Sequence, residues 1–195
     1  MSTSSAASSV SAAAGTTEVN NGGNFLLQTV CGDPKSFADF RFAELESLAR
    51  VEGVEGSFYD EKVKQQTSIS PYLFVQLPSA QVGINMMERS VLTKGLFECW
   101  GRGTTLEACV ASAMEYPDAK KQLYNGPEES FCIRINVFGA SFNTEKQKQY
   151  RDAFKPAFPN WTSPVQFSSP KHRFWIMVDQ GKEKRANKQI KKLKK

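Results

Sequence analysis

Residues 89–114, reading RSVLTKGLFECWGRGTTLEACVASAM, constrain the fold more than any other stretch, because they predict a strand, a glycine turn and a helix in direct succession. β-formers at Val91, Thr93, Phe97 and Cys99 predict a strand over residues 91–99. Gly101 and Gly103 then offer two positions able to take positive φ in a tight turn. Thr104 with Glu107 three residues on has the pattern of a capping box, in which each side chain satisfies an orphaned backbone N–H. Leu106, Cys109, Val110, Ala113 and Met114 follow as one apolar stripe of a helix, and Pro117 bars its extension. A nucleotide-binding loop begins with the same order, since glycines at a helix N-terminus make an anion site. Here the third glycine of that fingerprint and a following Lys-Ser or Lys-Thr are both missing. The residues favour a turn that packs helix on sheet.

Upstream, residues 25–30 predict a short strand, and the run DFRFAELESLARVEG predicts a helix from Asp39 with Phe42, Leu45, Leu48 and Ala49 inward and Gly53 as its stop. Residues 57–62 predict a weak strand and residues 72–77 a firm one. Pro78 and Ser79 introduce a helix over residues 80–88, with Val82, Met86 and Met87 inward. The order β-α-β-β-α-β is that of the ferredoxin-like split βαβ unit, whose two helices cover one face of an antiparallel sheet.

After the helix at residues 105–115, the Asn125-Gly126-Pro127 loop marks a break. The next strand alternates, Phe131, Ile133, Ile135 and Val137 against Cys132, Arg134, Asn136 and Phe138. Asn143 or Thr144 then caps a polar helix reaching about Phe154. Pro156, Pro159, Pro164 and Pro170 hold an irregular segment that includes Trp161. HRFWIMV, residues 172–178, reads as an interior strand covered on both sides. The fold class expected is α+β, a ferredoxin-like domain followed by a second α/β domain. The divisions are a disordered leader over residues 1–23, domains over 24–103 and 104–181, and a basic tail over 182–195.

The net charge of +5 looks like a nucleic-acid footprint, but its location matters more than its sum. Residues 182–195 hold eight Lys or Arg against one Glu, which leaves 17 basic and 19 acidic residues elsewhere. The basicity belongs to the tail, which suits RNA contact, a nuclear address or a solvated end. The four cysteines show no Cys-x-x-Cys, as small buried hydrophobes in a reducing compartment would be, and with one histidine the residues argue against a zinc site. His172 has no recognisable nucleophile or orienting partner, so it reads as a strand residue rather than a catalytic base. No apolar run reaches the ~18 residues that span a bilayer, and the Lys- and Arg-free first 23 residues fit neither a secretory signal nor a transit peptide.

The runs DFRFAELESLARVEG, MERSVLTKGLFECWGRG with its following helix, FCIRINVFG and KHRFWIMVDQG, taken in order, resemble the N-terminal half of the eukaryotic tRNA guanosine methyltransferases that modify position ten, the THUMP-containing enzymes. Arg41, Glu44, Glu46, Arg89, Trp100, Gly101 and Gly103 carry the resemblance most clearly. It implies a THUMP-like second domain that grips the acceptor end of tRNA, in the cytoplasm and without a membrane. In the family a Rossmann-like domain follows, binds S-adenosylmethionine, methylates the guanosine amine through an Asp/Asn-Pro-Pro-Tyr loop, and carries a small zinc-binding activator subunit. The present sequence has no Pro-Pro dipeptide, and only 14 residues follow Gly181. No catalytic, methyl-donor or metal residue is therefore expected here, and catalysis is expected of a separate domain or subunit.

An RNA module needs cations for phosphates and an apolar ledge for unstacked bases. The candidates are Lys171 and Arg173 at the start of the last strand, Arg134 on its neighbour, Lys146, Lys148 and Arg151 on the polar helix, and Lys184 and Arg185 in the tail. Each is also readable as a solvated surface charge. An independent enzyme would have to use pairs such as Glu44 and Glu46 or Glu128 and Glu129, which sit where a helix surface or loop expects charge. A non-catalytic scaffold for a separately encoded methyltransferase would show an exposed apolar patch around Trp100 or Trp161.

Overall fold

The structure, a computed structural model, describes residues 23–30, 40–60 and 70–180. The chain divides into two compact units, Met1–Cys99 and Trp100–Lys195. In the first, β1 (Gly23–Thr29), α1 (Phe40–Val51), β2 (Tyr72–Leu77), α2 (Ala80–Arg89) and β3 (Thr93–Glu98) follow one another. β1 is central and pairs antiparallel with β2 on one side and β3 on the other. The weak strand expected over residues 57–62 is reduced to one antiparallel bridge between Tyr59 and Val75, and residues 61–62 lie outside the described set. That bridge extends the sheet beyond β2, and with it the order is that of a ferredoxin-like fold.

Alternation along the strands decides which side chains go inward. Phe25 and Leu27 of β1 and Leu73, Val75 and Leu77 of β2 join Phe42, Leu45 and Ala49 of α1 and Met86 of α2 in one core. Gly53, at φ 72°, lets the chain leave α1 in the left-handed conformation that ends many helices. Ser79 caps α2 by accepting from the Val82 N–H.

The predicted strand at 91–99 starts two residues late, and Val91 is 83% exposed. Glu44, reaching from α1, takes the backbone groups that a longer strand would have used. Its carboxylate accepts from the amides of Val91 and Leu92 and from the Ser90 hydroxyl, and that hydroxyl in turn accepts from the Thr93 N–H. A carboxylate collecting several donors makes charge-assisted bonds that hold a turn well.

The second unit contains α3 (Leu106–Met114), α4 (Asp118–Lys121), a 3-10 turn (Gln122–Tyr124), β4 (Phe131–Phe138), α5 (Thr144–Ala153), a second 3-10 turn (Lys155–Ala157) and β5 (His172–Asp179). β4 and β5 run parallel and in register over their full lengths, with α5 in the connection between them. Asn143 caps α5 through the Lys146 N–H. The cap of α3 is Thr105, whose hydroxyl accepts from the Ala108 N–H, one residue later than the capping box placed it. Met114, expected on the inward stripe, is half exposed, and Ala113 is the buried residue of that turn. The far end of α3 is closed by Lys121, whose nearly buried amine donates to the Met114 carbonyl.

Gly101 and Gly103 do not take the positive φ expected of them. They are small for another reason: a Cβ on Gly101 would lie 2.4 Å from the Ala113 nitrogen, and one on Gly103 2.4 Å from the Cys109 nitrogen. The turn lies directly against the backbone of α3, which no side-chain rotation can move aside. Gly103→Ala is therefore expected to cost about 1–3 kcal/mol, measured by denaturant unfolding. Gly126→Ala, whose new Cβ would find its nearest neighbour at 3.6 Å, is the matched control with little expected change.

Candidate nucleic-acid interface

The two faces of the β4–β5 ladder have different chemistry. On one, Phe131 and Phe174 enter a cluster with Trp100, Tyr124, Phe158 and Trp161, in which ring centroids lie 4.6–6.3 Å apart. Trp100 also stacks on Tyr116, with centroids 4.9 Å apart and planes 9° from parallel. Trp100 and Trp161, around which a scaffold would show an exposed apolar patch, are partly buried in this cluster. A network around Ser163 and Asn125 ties the proline-rich segment to the 125–127 loop: the Ser163 hydroxyl accepts from the Gly126 N–H, and the Asn125 side chain accepts from the Thr162 N–H.

The opposite face carries Arg134, paired across the ladder with Trp175, and Arg173, two residues before Trp175 on β5. Asn136, Met177 and Asp179 continue it. This corrects the expectation that β5 is an interior strand covered on both sides. Among the described residues β5 has β4 as its one neighbour, and Trp175 is 38% exposed. The sequence carried the signal, since Arg173 and Asp179 share the parity of Trp175 and mark that face as polar, but the apolar run concealed it.

Of the predicted RNA-contacting residues, the structure brings Arg134 and Arg173 together on one surface. Lys171 and His172, at the start of β5, both bond the Glu129 carboxylate, each at 2.5 Å, so Lys171 is committed to an ion pair. The His172 and Tyr124 rings pack perpendicular to each other, with centroids 5.1 Å apart. Lys146, Lys148 and Arg151 lie on α5, where the Lys146 amine sits 4.2 Å from the Phe142 ring centroid. Lys184 and Arg185 fall outside the described residues.

Hydrogen bonding from Lys171, and then from His172, holds the Glu129 carboxyl below its ordinary range. A carboxyl whose folded value is depressed stabilises the fold above its unfolded pKa of about 4.3, and that contribution disappears as pH falls through the lower folded value. Glu129→Gln is thus expected to be less stable than the parent at neutral pH and to converge with it in acid. Urea midpoints between pH 3 and 7 test this; a gap that persists unchanged into acid would show that the charge of Glu129 is not what matters.

Two of the other carboxylates considered for catalysis make hydrogen bonds within the first unit. Glu44 holds the 90–92 turn, and Glu46 accepts from the Tyr59 hydroxyl. The remaining resemblance-bearing residues are framework too: buried Arg41 donates to the Ser70 carbonyl and the Thr29 hydroxyl, and Arg89 pairs with Glu52. The backbone of α3 fills the space beside the glycine turn. No helix among the described residues is long and apolar enough to cross a membrane.

A ferredoxin-like unit followed by a parallel βαβ unit that presents arginines and a tryptophan on one sheet face places the chain among two-unit α+β proteins with a polar-aromatic surface. Residues 30–194 match the family described as the Tmrp11 THUMP N-terminal domain, and the chain belongs to that family. It is 30% identical over 143 residues to the tRNA (guanine(10)-N(2))-methyltransferase TRMT11 of Mus musculus and 29% identical over 143 residues to that of Gallus gallus. A 69-residue stretch is 41% identical to the tRNA (guanine(10)-N(2))-methyltransferase of Saccharomyces cerevisiae, covering 35% of this chain and 15% of the yeast protein. The animal alignments cover 73% of this chain and 30% of each relative, so the chain spans about three tenths of their length. The crystal structure of PH1313 from Pyrococcus horikoshii Ot3 superposes with a TM-score of 0.53 over 81% of this chain and 51% of that one, at 12% identity, a likeness of fold.

Proposed function

We propose that this chain is the tRNA-gripping part of a tRNA (guanine-N2) methyltransferase, with residues 104–181 as its RNA-binding domain. Methyl transfer from S-adenosylmethionine to the guanosine amine belongs, on this reading, to a catalytic domain or subunit outside these residues, with a small zinc-binding activator docked there. The assembly works in the cytoplasm. The observation that carries the reading is the pairing of family membership with Arg134 and Arg173 on one sheet face. A guanidinium keeps its charge at any working pH and presents a fork matched to phosphate oxygens.

Labelled tRNA titrated against the full chain across a salt series tests this, alongside a full-length variant whose Lys and Arg at 182–195 are changed to Gln. The variant is expected to retain binding, with the log-log salt slope shallower by about 0.7–0.9 for each phosphate contact removed. Loss of all binding in the variant would assign RNA contact to the tail. The folded units would then read as a scaffold for a separately encoded methyltransferase.

A further inference from the structure

We propose that the outer edge of β5 is a self-association surface, to which a second copy of this chain adds its own β5 antiparallel, joining two β4–β5 ladders into one four-stranded sheet. The inference concerns the chain's association with itself and stands apart from the RNA-binding reading above.

The hydrogen bonds of the ladder fix which backbone groups point outward. The His172 N–H donates to the Ser130 carbonyl and the Gln180 N–H to that of Phe138, so the even-numbered residues of β5 bond β4. The N–H and C=O groups of Arg173 and Met177 therefore point away from β4, and no strand among the described residues lies beyond them. The other strand edges are blunted in the ways that discourage pairing. At Phe131, the edge of β4 is covered by residues 164–166, through its N–H to the Pro164 carbonyl and its carbonyl from the Gln166 N–H. The Tyr59 bridge and the bond from the Gln76 N–H to the Phe58 carbonyl cover the edge of β2. β3 pairs with a register shift and carries Lys94. β5 has none of these devices: its eight residues pair without a bulge, include no Pro or Lys, and are apolar from Phe174 to Val178. The strand also complements itself when reversed. Centred on Ile176, an antiparallel pairing of two copies sets Ile176 against Ile176, Phe174 against Val178, Trp175 against Met177, and basic Arg173 against acidic Asp179. The outward N–H and C=O groups then fall opposite one another, as hydrogen-bonded antiparallel pairs require. Opposite charges across the strands add to the pairing, and the same patch on both copies closes a two-fold dimer.

The test is sedimentation equilibrium of the full chain, freed of nucleic acid, across a dilution series, with hydrogen exchange followed in peptides that span β5. The expected result is a monomer–dimer equilibrium in which the β5 amides exchange more slowly as concentration rises. Arg173→Asp, or Asp179→Arg, sets like charges opposite each other twice in the dimer and should weaken it by roughly 2- to 30-fold. The double variant carrying both changes restores opposite charges and should recover most of the affinity. Met177→Pro removes an outward N–H and leaves the bonds to β4 in place, so it should give a monomer with the parent's amide protection in β4. A chain that stays monomeric at every concentration overturns the proposal, whether the β5 amides exchange fast or are covered by the chain's own residues 182–195. A dimer that neither the charge reversals nor Met177→Pro weakens overturns it too, because association then lies elsewhere. Both outcomes leave the RNA-binding reading to its own titration.

Discussion

Phe174→Ala is expected to destabilise the second unit by about 3–5 kcal/mol. Phe174 lies within 4.9–6.1 Å, centroid to centroid, of Trp100, Tyr124, Phe131, Phe158 and Trp161. Removing its ring leaves a void that those side chains can close only by giving up their contacts with one another. Tilted and edge-on aromatic pairs are worth about 0.5–1.5 kcal/mol each beyond their buried area, which offsets the partial exposure of Phe174. Hydrogen exchange reads the effect locally, through loss of amide protection in β4 and β5. Unchanged protection there would show that the cluster does not hold the ladder. Phe174→Leu, which refills part of the volume, should recover a fraction of the loss.

The second large effect is expected in the first unit. Leu45 is 1% exposed, at the centre of the core that α1 shares with β1 and β2. Leu45→Ala should cost about 2–5 kcal/mol, the cost depending on how far the surrounding residues collapse into the cavity. Amide protection in β1 and β2 is the measurement. A loss below about 1 kcal/mol would mean that the site relaxes fully, contrary to the packing of close-fitted interiors.

The sequence was most legible where one periodicity governed a whole element. The helices at Phe40–Val51 and Ala80–Arg89 and the central and firm edge strands of the first unit follow from alternation and stop signals alone. Expectations missed where a side chain distant in sequence took over a backbone group. Glu44, 47 residues before Val91, shortens β3 by bonding the amides that would have extended it, and no local pattern encodes that. The glycine turn was read for its conformational freedom, yet its glycines serve close approach to α3, a property of packing that appears only in three dimensions. Of the candidate site, the cations were visible as residue types, but their grouping was not. Arg134 and Arg173 became neighbours through the parallel register of two strands whose starts are 41 residues apart, while Lys171 proved to be engaged by Glu129. The residues that carry the family resemblance are largely those that build the frame, so the family was legible before the surface it presents.

Photo-crosslinking of tRNA to the full chain, with the attached peptides identified by mass spectrometry, is the most direct test of whether the folded body holds RNA. The account predicts cross-links within Phe131–Phe138 and His172–Asp179, and their loss when Arg134 and Arg173 are both changed to Gln. Cross-links confined to residues 182–195 would contradict it.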